Sequence, residues 1–207
     1  MKKIMFNDKY GLTRAVLQGR KTQTRRIAFK SFQPGMMTSK DVTTVTLRDG
    51  SFRYMLSNGL INRATYSVGV PVAIAQKYSD LMGNDLFRCL CNYKGVSLES
   101  VSDQKGFTSK MYVRADLMIH HIRIKNIRVE RLQEISDEDC IAEGIRMLTD
   151  VKCYEYGYDY KKKDSLGLCL THTPREAYAS LIDKICGAGT WEKDPFVFVY
   201  DFELIIP

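Results

Sequence analysis

Residues 195–206 form an alternating run too long and too apolar to stand alone in water. Phe196, Phe198, Tyr200, Phe202, Leu204 and Ile206 alternate with Val197, Val199, Asp201, Glu203 and Ile205. A period of two over that length predicts one long strand with one strongly apolar face. Its backbone amides and carbonyls then require neighbouring strands. Residues 120–132 read as a second long strand, whose alternation slips near Asn126-Ile127 and predicts a bulge. Shorter strands are predicted over 4–6, 71–78, 86–93 and 110–117. Residues 42–48 and 51–56, joined by Asp49-Gly50, read as an inserted hairpin, because Asp-Gly fits a two-residue turn with positive φ. The middle of the chain is therefore expected to be mostly β-structure.

Three helices are predicted around it. Asn7 or Asp8 caps the first, whose Leu12, Ala15 and Val16 share one face and whose Gly19 supplies a left-handed exit. Ser136, followed by Asp137, Glu138 and Asp139, starts the second, with Ile135 and Cys140 as the apolar staple. Thr173-Pro174-Arg175-Glu176 is a capping box with proline at the first helical position. Tyr178, Leu181, Ile182 and Ile185 follow it at i, i+3, i+4, i+7 spacing before Gly187, and that stripe reads as core. Several strands of unequal length with about three short helices imply an α+β domain built round a curled or closed sheet. At 207 residues and 44% hydrophobic the chain buries one sizeable core, so a single domain over 1–207 is expected.

The net charge of +7 favours polyanionic partners. Its distribution says more. Nine Lys/Arg stand against the single acid Asp8 in residues 1–30, whereas residues 130–143 are mostly acidic, so the two segments are expected to face each other across a cleft. The six cysteines contain no Cys-x-x-Cys pair and only three histidines accompany them, so no metal site and no cofactor are expected. The apolar run at residues 4–6 stops at Asn7-Asp8, too short for a signal core or a membrane span. A reducing, cytoplasmic setting with mostly buried thiols is the expectation.

Gly19-Arg20-Lys21-Thr22-Gln23-Thr24-Arg25-Arg26 crowds a lysine, two threonines and three arginines behind the first helix. Residues 128–145 and the tail over 189–203 form two further distinctive segments. Together they resemble the ASCH superfamily, whose fold is a small β-barrel related to the PUA RNA-binding domain. The second and third segments are most similar to uncharacterised ASCH-like proteins of phages and prophages, which usually carry tryptophans where Phe196 and Phe198 stand. The Gly-x-Lys element is similar to that of a branch that hydrolyses N(4)-acetylcytidine to cytidine and acetate. By that resemblance Thr24 is the nucleophile, Lys21 its activator and Glu143 the catalytic acid. Ser67-Val68-Gly69-Val70-Pro71 departs from the pattern, lacking the aspartate that such proteins place before a barrel strand. Insertions at about 28–66 and 146–172 enlarge the chain beyond the minimal enzymes.

A threonine hydroxyl needs a base to become a nucleophile. Lys21 beside Arg20, Arg25 and Arg26, and partly desolvated, has a reason to lose its proton. The three arginines are candidates to hold a phosphate or an oxyanion. Lys21 and Thr24 fall on opposite faces of a regular strand, so the site requires a turn or bulge between them. Glu143 lies off the apolar face of its helix, where periodicity alone predicts solvation. Tyr154, Tyr156, Tyr158 and Tyr160 ahead of Lys161-Lys162-Lys163 offer stacking beside positive charge, but read first as a mobile polar loop. Trp191 reads as a packing anchor, and His120 and His121 as strand residues. The rival to the enzyme is a non-catalytic module that binds RNA or a modified nucleotide, with Arg20, Lys21, Arg25 and Arg26 on phosphates.

Overall fold

A computed structural model describes residues 1–28, 42–56, 61–148, 155–162 and 165–205. In chain order the elements are β1 (Lys3–Ile4), α1 (Leu12–Leu17), β2 (Gln23–Ile27), β3 (Val42–Thr46), β4 (Phe52–Leu56), β5 (Ile61–Arg63), β6 (Pro71–Ile74), α2 (Tyr78–Leu81), α3 (Asp85–Tyr93), α4 (Leu98–Ser102), β7 (His121–Arg131), α5 (Asp137–Ala142), β8 (Arg146–Leu148), β9 (Glu155–Lys162), β10 (Ser165–Thr171), α6 (Pro174–Cys186), α7 (Thr190–Lys193) and β11 (Phe196–Ile205). The fold is α+β, with a five-stranded sheet in the order β1-β6-β7-β11-β2 and two three-stranded sheets, β10-β9-β8 and β3-β4-β5. No helix among the described residues is long and apolar enough to cross a membrane.

The chain divides into two compact units. The first comprises residues 1–6, 71–123 and 204–207. In it β1 runs parallel to β6, and β6 pairs antiparallel with the start of β7. A helical excursion over α2 to α4 returns through a 3-10 turn at Ala115–Leu117, and its core is Tyr78, Leu81, Phe87, Cys91, Val101 and Leu117. Two expected strands are overturned here. Residues 86–93 are the helix α3, because the Asn84 side chain accepts from the Leu86 and Phe87 amides and the buried residues, Phe87 and Cys91, are four apart. Leu86, which an alternating strand would bury with Leu90, is exposed. Residues 110–117 form no strand, since the Tyr78 hydroxyl takes the Arg114 amide at 2.8 Å and the chain then enters the 3-10 turn. Among the described residues, seven α-helical segments replace the three expected.

The second unit, residues 7–70 and 124–203, carries the end of the Gly19–Arg26 segment in an edge strand, β2, paired antiparallel with β11. The first five residues of β11 are buried, Val197 and Val199 as fully as Phe196, Phe198 and Tyr200, so both faces are covered rather than one. Phe198 takes the edges of Tyr54 and Phe52 at centroid distances of 5.2 and 6.3 Å, and Tyr200 meets Tyr66 at 5.3 Å. The expected hairpin is β3–β4, turning at Gly50 with φ of 73°. In β7 Ile122 and Ile124 are buried, Lys125 and Asn126 are both exposed, and Ile127 is buried again, which is the expected slip. Residues 155–162 are not a loop but β9, hairpinned to β10, with Tyr158 buried against Tyr10. Tyr154 and Lys163 lie outside the described residues. Of the free thiols described, Cys91 and Cys140 are buried whereas Cys89 and Cys186 are exposed, so burial is not their general rule.

α6 is capped as the sequence requires: the Thr173 hydroxyl accepts from the Glu176 amide at 3.1 Å while the Glu176 carboxylate takes the Thr173 amide at 3.3 Å. Thr173→Ala removes one arm of this box and is expected to lower stability by about 1 kcal/mol in urea denaturation.

Candidate active site

The site lies within the second unit, where β2 starts and α5 ends. At the end of α1, Gly19 takes φ of 71°, and the amides of Arg20 and Lys21 both reach back to the Ala15 carbonyl at 2.9 and 3.0 Å. This turn places Lys21 ahead of the paired residues of β2. The Thr22 amide then bonds to the Ala142 carbonyl at 2.9 Å, tying the entry of β2 to the last turn of α5. α5 begins at Ser136, whose hydroxyl accepts from the Asp139 amide, and Ile135 and Cys140 are both buried. Glu143 is its C-cap, and Gly144 follows at φ of 105° with Lys21 beside it. A Cβ at Gly144 would lie 3.6 Å from that of Lys21, in a backbone region that disfavours side chains.

Lys21 and Glu143, 122 residues apart in sequence, meet here. The Lys21 ammonium donates to the Glu143 carbonyl at 2.8 Å and to its carboxylate in a direct ion pair. Lys21 is 2% exposed and Glu143 5%. Burial drives the Lys21 pKa down, and it does so against the Glu143 carboxylate, which raises it. Arg26 and then Arg25 add to the lowering.

Arg25 forms the second layer. Its guanidinium donates to Glu130 through Nε at 3.0 Å and Nη2 at 2.6 Å, to Asp139 at 2.7 Å and to Glu143 at 3.3 Å, and it also bonds the Gln23 side chain. Arg128 bridges Glu130 at 3.0 Å, Asp139 at 2.5 Å and Asp201 at 2.9 Å. Gln23 crosses to Asp139 at 3.0 Å and to Asp201 at 2.7 Å, facing its strand partner. Burial alone would lower the Arg25 pKa, but Glu143, Tyr178 and Glu130 outweigh it and raise it. The oppositely charged segments read from the sequence thus meet directly, as buried and half-buried ion pairs.

The other expected site residues separate into groups. Thr24 is buried in β2 opposite Tyr200 and is not among the groups bonded to Lys21 or Glu143. Alternation sends Gln23 and Arg25 to the carboxylate side and Thr24 and Arg26 to the other face. β2 has no bulge across its paired residues 23–27, and the turn at residues 19–21 precedes Lys21 rather than separating it from Thr24, so it does not bring the two side chains to one face. Lys21 nevertheless feels the charge of Arg26, from the Thr24 face, ahead of that of Arg25. Arg20 is elsewhere: it donates to Gln18 at 3.0 and 3.1 Å, and burial followed by the Arg146 charge lowers its pKa.

Sequence reasoning missed Glu130, Arg128, Asp139 and Asp201 as members of this network, and it read Tyr178 as plain core. The signal for the first group was the acid-rich segment itself. Tyr178 is 2% exposed, with its ring 5.9 Å from the Arg25 guanidinium carbon. Trp191 packs on Tyr178 at 6.2 Å, the anchoring role expected of it. Burial pushes the Cys140 thiol up to about 12, which keeps it protonated at neutral pH.

Asp139 makes stability acid-sensitive. Asp139 is depressed below its ordinary value because hydrogen bonds from Arg25 and Gln23 and the charges of Arg25 and Arg128 outweigh burial. A depressed folded-state value contributes stability that is present above the unfolded value and is lost as pH falls through the folded one. Melting temperature is therefore expected to decline from about pH 4 downward, and Asp139→Asn is expected to flatten that part of the profile.

No protein-family model, curated protein or solved structure matches this chain.

Proposed function

We propose that this protein is an ASCH-type amidohydrolase with a PUA-like barrel, acting on an acylated cytidine-like nucleoside. The observation that carries the reading is the buried Lys21–Glu143 pair, since the two residues that the resemblance names as base and acid are in direct contact across 122 positions.

Burial lowers the Lys21 pKa and so favours its neutral amine, the form that acts as a base. Lys21 takes the Thr24 hydroxyl proton as Oγ bonds to the acyl carbon. The proton passes across the Lys21–Glu143 contact, the acyl C–N bond breaks, the nitrogen keeps the electron pair, and Glu143 gives it that proton. Deacylation runs the same proton path back: a water oxygen bonds to the acyl carbon while Glu143 accepts its proton. Lys21 receives it across the contact and returns a proton to Thr24, freeing the acid and restoring the pair. Arg25 holds the Glu143 carboxylate in place at 3.3 Å and is a positioning residue.

Arg25 is turned inward onto carboxylates with its side chain 1% exposed, which removes it from the phosphate contacts that an RNA-binding module would need. The test is release of cytidine from N(4)-acetylcytidine, followed by mass spectrometry, with Lys21→Met, Thr24→Val and Glu143→Gln in parallel. Release that all three changes abolish supports the reading, and absence of release by the wild-type protein refutes it.

A further inference from the structure

A buried tyrosine hydroxyl ordinarily finds a partner, because the phenol loses its water on folding. The Tyr178 hydroxyl has none among the described residues, although it is fully enclosed. Its position is set by the fold rather than by a bond of its own. The capped helix α6 carries it, the Arg25 guanidinium lies 5.9 Å from its ring, and Trp191 packs at 6.2 Å. Arg25 links the ring to the site described above, since the same guanidinium donates to Glu143 at 3.3 Å.

We infer that Tyr178 is a substrate-contacting residue, its hydroxyl donating a hydrogen bond to an acceptor atom of the nucleobase beside the nitrogen that Glu143 protonates. This role rests on the amide-hydrolysis reading. The chemistry favours a donor at that place. When the acyl C–N bond of an acylated cytosine breaks, the electron pair left on the exocyclic nitrogen spreads onto the adjacent ring nitrogen, and a donor there stabilises the leaving group. The phenol suits this task because burial and the Glu143 charge push its pKa far up, so it keeps its proton and only shares it. Glu143 remains the group that transfers one.

Tyr178→Phe removes the hydroxyl and nothing else. In the unliganded protein it is expected to leave the melting temperature unchanged or slightly raised, since no partner is lost. With N(4)-acetylcytidine it is expected to lower kcat at least tenfold. A clear fall in the unliganded melting temperature would show that the hydroxyl is paired within the protein and would overturn the role whatever the activity. Wild-type turnover matched by the Phe variant would overturn the role alone. A wild-type protein without turnover would overturn the amide-hydrolysis reading, and this role with it. Tyr178→Trp serves as a control for packing, expected to lose stability, which the Phe variant does not.

Discussion

Arg25→Met is expected to destabilise the protein by about 3–5 kcal/mol. The guanidinium bonds Glu130, Asp139 and Glu143 at once with a side chain 1% exposed, so its removal leaves three carboxylates near one another with their common cation gone. Methionine fills much of the same space, which confines the effect to charge and hydrogen bonding. Lysine at this position keeps the charge but offers a point donor in place of a planar fork, so Arg25→Lys is expected to recover only part of the loss. Urea denaturation of the three proteins makes the comparison. A loss below about 1 kcal/mol for the methionine variant would mean that the cluster behaves as a solvated surface network, where ion pairs contribute little.

The second large effect concerns activity. Lys21→Met and Glu143→Gln are each expected to reduce kcat/KM on N(4)-acetylcytidine by about 10²–10⁴-fold, the usual worth of a positioned acid or base. Because the two share a proton, the double variant is expected to lose little more than either single one. The pH dependence has a definite sign. Lys21 acts as a base only when neutral, and its pKa is lowered by burial, so the wild-type rate is expected to rise with pH at values below the ordinary lysine range of about 10.4. Its stability follows the same direction: between the lowered and the ordinary value the unfolded chain binds more protons, so folding becomes more favourable as pH rises. A rate that falls over that range would argue against Lys21 as base. If the wild-type protein proves inactive, the Lys21 and Glu143 changes become tests of a structural tie between β2 and α5 and should register in stability alone.

The strands at residues 121–131 and 196–205, the hairpin at Asp49-Gly50 and the helices capped by Ser136 and Thr173 were legible because each is written in local chemistry: period-two alternation, a turn that demands positive φ, or a side chain that satisfies a free amide, whereas Asn7 caps a 3-10 turn at Asp8–Tyr10 and α1 starts at Gly11 with no side-chain cap. Residues 86–93 misled because a short apolar run fits either period, and the Asn84 cap together with the burial of Phe87 and Cys91 decided for the helix. Glu143 illustrates the opposite error. Helical periodicity predicts solvation there, but the residue is the cap of its helix, where Gly144 turns the chain and the side chain is free to face Lys21.

By itself the sequence determined the long strands, the Asp49-Gly50 hairpin and the helices that start at Ser136 and Thr173, and that a basic N-terminal element and an acidic segment near residue 140 carry opposite charge. Only the tertiary structure decided how those charges are used. Local patterning sets a side chain's face along its own element, but it contains nothing about which other element packs on that face. Lys21, Arg25, Glu130, Asp139 and Glu143 became one buried network because β2, β7 and α5 converge, and in that dry setting each charge requires a partner that lies far away along the chain. The same convergence encloses the Tyr178 hydroxyl, which the core stripe of α6 gave no reason to single out.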